Sequence, residues 1–197
     1  MSSDTTKKSV TKRAAAILFA QNFLKYPSML GSVIPSSRFL VNDLLQKVDW
    51  DRAHVVVEFG PGIGTFTHEI LKRMRKDAVL VIIEVNSDFV KHLDSTINDP
   101  RLRLVHGSAA DVRRILGEQN LAPADYIISG LPYSLMPEDL RREVITESRN
   151  ALQAHGSLLV FQYTGILLPY LTSSFSSVRQ GFQLFNILPA RIFHCTP

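Results

Sequence analysis

Cysteine is almost absent from this chain of 197 residues, which holds only Cys195. A single cysteine excludes an internal disulfide and suits a reducing cytoplasm. Apolar runs are also short, and none reaches the roughly 20 residues that a helix needs to cross a bilayer. The six histidines are scattered without the spacing of a metal site, so no metal is predicted. The length favours one α/β domain with a substantial core.

Glycines cluster in one short segment. Residues 55–65 read V-V-V-E-F-G-P-G-I-G-T, an apolar run with an acid near its end and glycines at alternate positions. The β-branched run predicts a strand buried on both faces. The glycines permit a tight turn and let a ligand approach the backbone closely. Apolar residues on one side of 65–74 predict a helix, so the segment predicts a nucleotide-binding corner.

The acid in this segment distinguishes the corner from the dinucleotide version, which places two residues between its second and third glycines. Here the spacing is G-x-G-x-G. Glu58 would repel a diphosphate, but it can accept hydrogen bonds from an ammonium group or from water around one. The pattern resembles motif I of the class I methyltransferases. The resemblance implies S-adenosylmethionine as cofactor, held by Glu58, Gly60, Pro61, Gly62, Gly64 and Thr65.

The next two predicted strands add cofactor candidates. Residues 79–83 form an apolar run followed by Glu84 and Val85. An acid at this strand end is placed to accept both hydrogen bonds from a ribose diol, although a solvated charge is the alternative. After a third strand at 102–105, the resemblance implies that the turn at Gly107, Ser108 and Ala109 holds the adenine. Asp111 either meets the adenine or caps the helix predicted over 112–116.

The fourth predicted strand, 126–129, opens into the turn G-L-P-Y-S. The acceptor is expected here, at the carboxyl ends of the central strands. Enzymes that methylate adenine N6 resemble this stretch but carry Asn or Asp two residues before the proline, where this chain has Gly130. Glycine cannot accept a hydrogen bond from the exocyclic amine. Ser129, Gly130 and Leu131 are assigned to the cofactor, and Pro132 and Tyr133 to the acceptor.

Two further stretches make the resemblance more specific. G-S-V-I-P-S-S at 31–37 precedes a helix predicted from about Arg38, and serines at a helix N-terminus offer a place for a carboxylate. Pro35, Ser36 and Ser37 are therefore predicted cofactor contacts. F-Q-Y-T at 161–164 and N-x-x-P-A-R at 186–191 follow. Together these motifs are similar to the bacterial phospholipid N-methyltransferases, a family related to the ribosomal RNA adenine dimethylases, from about residue 20 to the end.

The resemblance and the alternating strand and helix patterns imply a Rossmann-like class I methyltransferase fold. Its sheet would have seven mostly parallel strands with helices on both faces, and the last two, at about 182–188 and 190–194, would form a hairpin-like end. The implied activity is S-adenosylmethionine-dependent N-methylation of phosphatidylethanolamine and its partly methylated forms, towards phosphatidylcholine. The protein would be cytoplasmic and peripheral on the inner face of the membrane.

Four side chains are candidates for the acceptor site. Tyr133 and Tyr163 are the predicted catalytic residues, through a hydrogen bond to the amine or cation–π contact with the growing ammonium. Gln162 is expected to orient a head-group oxygen, and Arg191 to bind the phosphodiester. Ordinary packing is the alternative for Tyr133, and pairing with a carboxylate is the alternative for Arg191. The apolar segment 165–171 would contact acyl chains or bury against the core.

Net positive charge is confined to the N-terminal part. Residues 1–40 hold six basic residues and one acid, whereas the rest holds 16 basic and 17 acidic residues. Five such charges near an anionic leaflet would contribute on the order of 5 kcal/mol. Residues 1–26 are therefore predicted to form a basic helical arm that contacts an anionic membrane surface and covers the cofactor, and residues 27–197 to form the catalytic domain. Packing over the cofactor alone, and binding to RNA phosphates, are the alternatives.

A nucleic-acid partner is not expected. The adenine dimethylases carry a helical C-terminal domain that grips RNA, and this chain ends soon after its last predicted strand. Beyond the arm, aromatic residues do not interleave with basic ones as they do on a stacking platform. An adenine-specific RNA methyltransferase remains the main alternative function, and a cofactor-binding protein without catalysis is the third.

Overall fold

The computed structural model describes residues 37–184 and 189–197, and these build one seven-stranded sheet in the order β3-β2-β1-β4-β5-β7-β6. The strands β1 to β5 pair in parallel, and β7 runs antiparallel to both of its neighbours. The predicted seven-stranded, mostly parallel Rossmann-like fold is confirmed. The strands are β1 Val55–Phe59, β2 Val79–Glu84, β3 Leu102–His106, β4 Ala124–Ser129, β5 Leu152–Gln162, β6 Ser177–Gln183 and β7 Ala190–Thr196.

Helices cover both faces of the sheet, so each face has its own core. In one core Leu44 and Ile70 pack with Val56 of β1. The other core contains Ile115 and Val144 together with Val55 and Val57, the residues on either side of Val56. All of β1 is therefore buried, as its β-branched run predicts. In the described ranges no helix is both long and apolar enough to cross a membrane. The α-helices are α1 Arg38–Leu45, α2 Thr65–Arg73, α3 Ser87–Thr96, α4 Val112–Glu118, α5 Glu138–Ala151 and α6 Leu168–Ser174.

The sixth strand differs from its prediction at 182–188. It begins at Ser177, ends at Gln183 and pairs with β7 from Ser177 opposite Thr196 to Gln183 opposite Ala190. Residues 185–188 lie outside the described part. The strand forms an edge of the sheet and is mostly exposed, and such strands carry polar side chains that hide the strand pattern in the sequence. The hairpin-like pairing of the last two strands is as predicted.

The apolar segment at 165–171 is partly helical. Helix α6 begins at Leu168, with Pro169 in its first turn, where proline is well tolerated. Leu167 and Leu171 are fully buried and pack in the same core as Val144 of α5. Ile166 is 43% exposed. Burial against the core therefore accounts for the leucines, and Ile166 is left as the apolar side chain that this segment offers to a ligand.

Candidate active site

Three turns lie side by side at the carboxyl edge of the sheet because the strand ladder continues into them. The Gly60 amide donates to the Ile83 carbonyl over 3.1 Å, the Gly107 amide to the Glu84 carbonyl over 2.9 Å, and the Gly130 amide to the Phe59 carbonyl over 3.0 Å. The order of the strands reverses between β1 and β4. Open α/β sheets bind ligands in the crevice outside the strands at this reversal.

The turn after β1 has a backbone that favours glycine. Gly60 and Gly62 have φ angles of +63° and +57°. A Cβ at position 60 would lie 2.9 Å from Leu131 Cδ2, so Gly60 lets the turns after β1 and β4 pack together. A Cβ at position 62 would meet nothing within 4 Å. Gly62 therefore presents bare backbone to open space, which is what close approach of a ligand requires.

Glu84 at the end of β2 braces this turn. One carboxylate oxygen accepts from the Gly62 amide over 3.3 Å and the other accepts from the Asn86 amide over 2.9 Å. Burial raises the pKa of Glu84, and these backbone hydrogen bonds oppose the rise. Each oxygen can accept a second hydrogen bond, which leaves capacity for a ribose diol. Glu84 thus shapes the glycine turn, and its predicted contact with the ribose diol stays a prediction.

Glu58 within β1 is only 3% exposed. Burial raises its pKa to about 8, the hydroxyl of Thr67 lowers it by donating to the carboxylate, and the charge of Glu84 raises it further. The Thr67 bond is 2.7 Å long. Thr67 was not among the predicted site residues, although a polar residue between Phe66 and Ile70 on the apolar side of a helix was a usable sign. The pair of buried acids favours a positively charged ligand.

The turn after β3 leads into a short helix, and Ala109 is buried there. The Ser108 hydroxyl accepts from the Ala110 amide over 3.2 Å and so begins a short 3₁₀ helix, Ala109–Asp111. Asp111 makes no side-chain capping bond at the start of α4 and lies 3.4 Å from the Arg114 guanidinium. The cap expected of Asp111 is therefore not formed by its side chain.

Tyr133 lies in the core beneath the turn after β4. Its side chain is fully buried, and its hydroxyl is 3.1 Å from the Ser129 hydroxyl. Burial also raises the pKa of the Tyr133 hydroxyl. The predicted contact of Tyr133 with the acceptor stays a prediction. Packing, the alternative considered for Tyr133, describes what the structure shows.

Arg141 of α5 was not among the predicted site residues. Its guanidinium contacts the turn after β4 from the core. Its guanidinium donates to the carbonyl oxygens of Tyr133 and Met136, each over 2.9 Å. A third bond of 3.2 Å reaches the hydroxyl of Tyr170. Arg141 is only 6% exposed, and its charge is compensated by these oxygens. The acceptor turn is thereby tied to both α5 and α6.

Gln162 and Arg191 make contacts other than those predicted. Gln162 is buried, and its amide donates to the Leu131 carbonyl over 2.7 Å, so it positions the turn after β4. Arg191 of β7 places its guanidinium 5.8 Å from the centre of the Phe182 ring. Binding of a head-group oxygen by Gln162 would require this amide to leave the Leu131 carbonyl. Phosphodiester binding by Arg191 stays a prediction.

Aromatic rings stand beside Gly130. A Cβ at that position would lie 3.5 Å from Phe161 Cε1. Phe161 stacks on Phe66 with ring centres 5.5 Å apart and meets Tyr163 edge to face at 6.4 Å. Phe66, Phe161 and Tyr163 form what we call the aromatic group. Phe161 and Tyr163 are partly exposed at the carboxyl end of β5.

The serine motif before α1 is only partly described. Ser37 is the N-cap residue, and its hydroxyl accepts from the Leu40 amide over 3.2 Å. That bond satisfies one of the free amides of the first turn. Pro35, Ser36 and the arm at 1–26 lie outside the described residues, and their predicted contacts stay predictions.

Solved structures of similar fold are methyltransferases. A precorrin-6y C5,15-methyltransferase from Geobacter metallireducens superposes with a TM-score of 0.65 at 14% identity, over 83% of this chain and 90% of that one. A SAM-dependent methyltransferase from Aquifex aeolicus gives 0.63 at 13% identity, over 87% of this chain and 98% of that one. These two similarities show the fold, and the sequence relatives define the class, a class I S-adenosylmethionine-dependent methyltransferase.

Sequence relatives narrow this class. The family profile described as ribosomal RNA adenine dimethylase matches residues 18–163, and the chain belongs to that family. An ornithine lipid N-methyltransferase from Singulisphaera acidiphila is 28% identical over 90% of this chain and 94% of that protein. A ribosomal RNA small subunit methyltransferase A from Mycoplasma capricolum is 31% identical over 59% of this chain, but the match spans only 43% of that protein. The predicted class, relatives and cofactor are confirmed.

The crevice residues fit S-adenosylmethionine, a nucleoside with a sulfonium and an ammonium group. Buried carboxylates at Glu58 and Glu84 complement positive charge. The open space at Gly62 admits a ligand against the backbone. Which atoms each residue contacts remains a prediction for the cofactor set as a whole.

Proposed function

We propose that this protein N-methylates the amine of an amino lipid, with phosphatidylethanolamine and its partly methylated forms as acceptors and phosphatidylcholine as the end product. The observation that carries the proposal is the aromatic ring of Phe161 beside Gly130. The ring of Phe161 lies 3.5 Å from where a Cβ would stand. Adenine N6 methyltransferases place a hydrogen-bonding side chain at this position. Here the same place has no side-chain acceptor for an exocyclic amine, and its nearest neighbours are the Gly60 carbonyl oxygen at 3.4 Å and the Phe161 ring.

The aromatic group suits an amine that gains methyl groups. Each methylation makes the ammonium larger and less able to donate hydrogen bonds, while its attraction to aromatic rings persists. Tyr163 is partly exposed next to Phe161, which is 6.4 Å away between ring centres. We therefore keep Tyr163 as the acceptor contact and assign Tyr133 a structural role.

The relatives favour a lipid acceptor. The ornithine lipid N-methyltransferase aligns with nearly its whole length, whereas the ribosomal RNA methyltransferase aligns over 43% of its own. Ornithine lipid also presents a primary amine, so it is the second candidate acceptor. Both acceptors require the same chemistry at the nitrogen.

The reaction needs little covalent help from the protein. S-adenosylmethionine supplies an electrophilic methyl group when it is bound. The amine lone pair forms the new C–N bond while the C–S bond breaks, and the electron pair of the broken C–S bond stays on sulfur. The proton that the amine loses goes to water or the lipid phosphate. The turn held by Gln162 and Arg141 fixes the acceptor position, and the aromatic group excludes water.

Membrane association belongs to the same proposal. We place the protein on the cytoplasmic face of the membrane, attached through the basic arm at 1–26. The concentration of positive charge in residues 1–40 supports this placement. Arg191 at the carboxyl end of the sheet is proposed to meet the lipid phosphodiester.

Labelled methyl transfer tests the proposal. The purified protein is incubated with methyl-labelled S-adenosylmethionine and, separately, phosphatidylethanolamine vesicles, ornithine lipid vesicles or ribosomal RNA. Label in the phosphatidylethanolamine extract is the expected result. Label in ornithine lipid alone would move the acceptor to the second candidate. Label in RNA alone would overturn the lipid assignment, and cofactor binding without transfer to any of them would overturn the catalytic one.

A further inference from the structure

Six large apolar side chains in the described ranges are strongly exposed, by 39% to 63% of their surface. Single exposed apolar residues are ordinary on any protein, so their number carries little information. Their distribution is informative because it is uneven. We call these six the apolar rim, and its members are Phe39, Ile63, Leu135, Ile166, Phe182 and Leu184.

Five members of the apolar rim lie at the carboxyl edge of the sheet. Ile63 is in the turn after β1, Leu135 follows β4, and Ile166 follows β5. Strand β6 runs in the same direction as β5, since both are antiparallel to β7. Phe182 and Leu184, at the end of β6 and just beyond it, therefore reach this edge as well.

Phe39 joins them from helix α1. The Gln183 amide at the end of β6 donates to the Asp43 carboxylate over 3.2 Å, which places Asp43 of α1 near the carboxyl edge. The connection from α1 to β1 lies at the opposite edge, where the Asp49 amide donates to the Tyr126 hydroxyl over 3.1 Å. Phe39 lies one turn before Asp43, on the side away from that connection. All six members of the apolar rim therefore lie on the carboxyl side of the sheet, the side on which the crevice opens.

Arginines accompany the exposed rings. The Arg38 guanidinium lies 5.0 Å from the centre of the Phe39 ring, and the Arg191 guanidinium lies 5.8 Å from that of Phe182. Side chains of this kind bury hydrocarbon beside an apolar surface and pair with phosphate at its boundary. The opposite edge carries Asp49, Asp51 and Asp125 around a hollow. Exposed apolar groups and two arginines thus share one edge, whereas the hollow at the other edge is polar, with Arg52 beside its acids.

We infer that the apolar rim docks the protein on a lipid bilayer with the crevice facing the membrane. This inference deepens the proposed function, because it names the surface that receives the acceptor lipid. A second copy seated on the rim would close the crevice to any acceptor, whereas a bilayer brings the acceptor with it. Ser37, where the described part begins, caps α1 two residues before Phe39 and lies on the same side of the molecule as the rim.

Vesicle binding without cofactor tests the docking independently of methyl transfer. The full chain and a Phe182→Ser, Leu184→Ser double variant are sedimented with phosphatidylcholine vesicles containing phosphatidylglycerol. The measurement is made at about 0.5 M NaCl, where attraction between exposed charges is largely screened. The double variant is expected to bind about tenfold more weakly, because both side chains have over half of their surface left to bury.

Two tryptophan variants give a matched pair. Phe182→Trp places an indole in the apolar rim, and Gln153→Trp places one at the opposite, polar edge. Vesicles are expected to shift the emission of the Phe182→Trp variant to the blue and to leave that of the Gln153→Trp variant unchanged. Thermal unfolding and cofactor calorimetry of the double serine variant should match the parent, since both side chains are exposed.

Four results would overturn the docking. Unchanged salt-resistant binding of the double serine variant would do so, as would equal spectral shifts at both edges. Emission from Phe182→Trp that is already shifted to the blue without vesicles would mean that another segment of the chain or a second copy covers the rim. Sedimentation velocity distinguishes these two cases. Methyl transfer to detergent-dispersed lipid with no vesicle binding would overturn the docking alone. Binding with no transfer would overturn the proposed function alone.

Discussion

Strand β1 is secured by a buried carboxylate at each of its ends, and the two carboxylates differ in what surrounds them. At the amino edge, Asp125 accepts from the His54 and Val55 amides over 2.8 and 2.9 Å. At the carboxyl edge, Glu84 accepts from the Gly62 and Asn86 amides. Asp125 holds amides where the strand begins, whereas Glu84 holds a turn of left-handed glycines beside open space. The first arrangement fastens the fold, and the second shapes a binding surface.

The second acid at the carboxyl edge sharpens this contrast. Glu58 is buried close enough to Glu84 for the charge of Glu84 to raise the pKa of Glu58. Two acids in one crevice cost folding free energy that a cationic ligand offsets. The hollow at the amino edge has a volume of about 450 Å³, and His54 and His155 line it together with acidic residues. Substitutions at the two edges should therefore separate stability from binding.

Asp125→Ala is expected to have the largest effect, and the effect should be on stability. Two buried backbone amides lose a charged acceptor, so the free energy of unfolding should fall by about 3 kcal/mol. Cofactor affinity of the folded protein should stay within a few-fold of the parent. Denaturant unfolding and calorimetry measure the two quantities, with Asp51→Ala at the same edge as control. A large loss of cofactor affinity would show that the two edges are not separable.

Gly62→Ala should show the reverse balance. The φ angle of +57° makes alanine cost about 1 kcal/mol of stability, and its methyl group enters the open space proposed for the cofactor. Cofactor affinity should fall by at least about tenfold. Gly117→Ala is a matched control, because a Cβ there also meets nothing within 4 Å while the residue lies within helix α4. Equal effects of the two substitutions on cofactor affinity would contradict the assignment.

Glu58 predicts a pH dependence of the stability. A carboxyl with a folded pKa of about 8, above its ordinary 4.5, binds more protons in the folded state between these values. Its contribution to stability is therefore complete below about pH 4.5 and is lost as the pH rises towards 8, by up to about 1.4 kcal/mol per pH unit. The unfolding free energy of Glu58→Gln should exceed that of the parent increasingly as the pH rises.

Cofactor binding should have the opposite pH trend. A cationic ligand favours the ionised Glu58, so affinity should increase between about pH 6 and pH 8 with release of a proton. The Glu58→Gln variant should bind more weakly and show little dependence on pH. Calorimetry in buffers of different ionisation heat measures the protons released. Equal proton release by the parent and the variant would assign the titration to another group.

Local sequence patterns were sufficient for the core of the site. The β-branched run and the alternate glycines adjoin in sequence, and Glu84 ends the next predicted strand, 22 residues after Gly62, so the order of strands already fixes their relation. Thr67 and Asn86 are partners of the same acids, and they lie nine residues after Glu58 and two residues after Glu84. They were missed because polar residues near helix starts are common and do not by themselves indicate a ligand.

Side-chain direction and the end of the chain could not be predicted in the same way. Whether Tyr133 faces the crevice or the core depends on α5, whose Arg141 holds the turn from eight residues away. Gln162 turns towards Leu131 across 31 residues. Strand β6 was misplaced because an edge strand needs no apolar alternation. Contacts of these kinds depend on tertiary packing, which no local pattern contains.

Tyr133→Phe is expected to have the smallest effect and to test the boundary between the site and the core beneath it. The Tyr133 hydroxyl bonds only Ser129 among the contacts given by the structure, over 3.1 Å, so its removal should cost about 1 kcal/mol of stability. Turnover with saturating lipid should stay within about twofold, because the lost bond lies below the crevice. Ser129→Ala, which removes the other half of the bond, should match it in stability. A fall in turnover of tenfold or more at unchanged stability would contradict this expectation. It would show that the Tyr133 hydroxyl belongs to the acceptor site, although the structure places Tyr133 in the core.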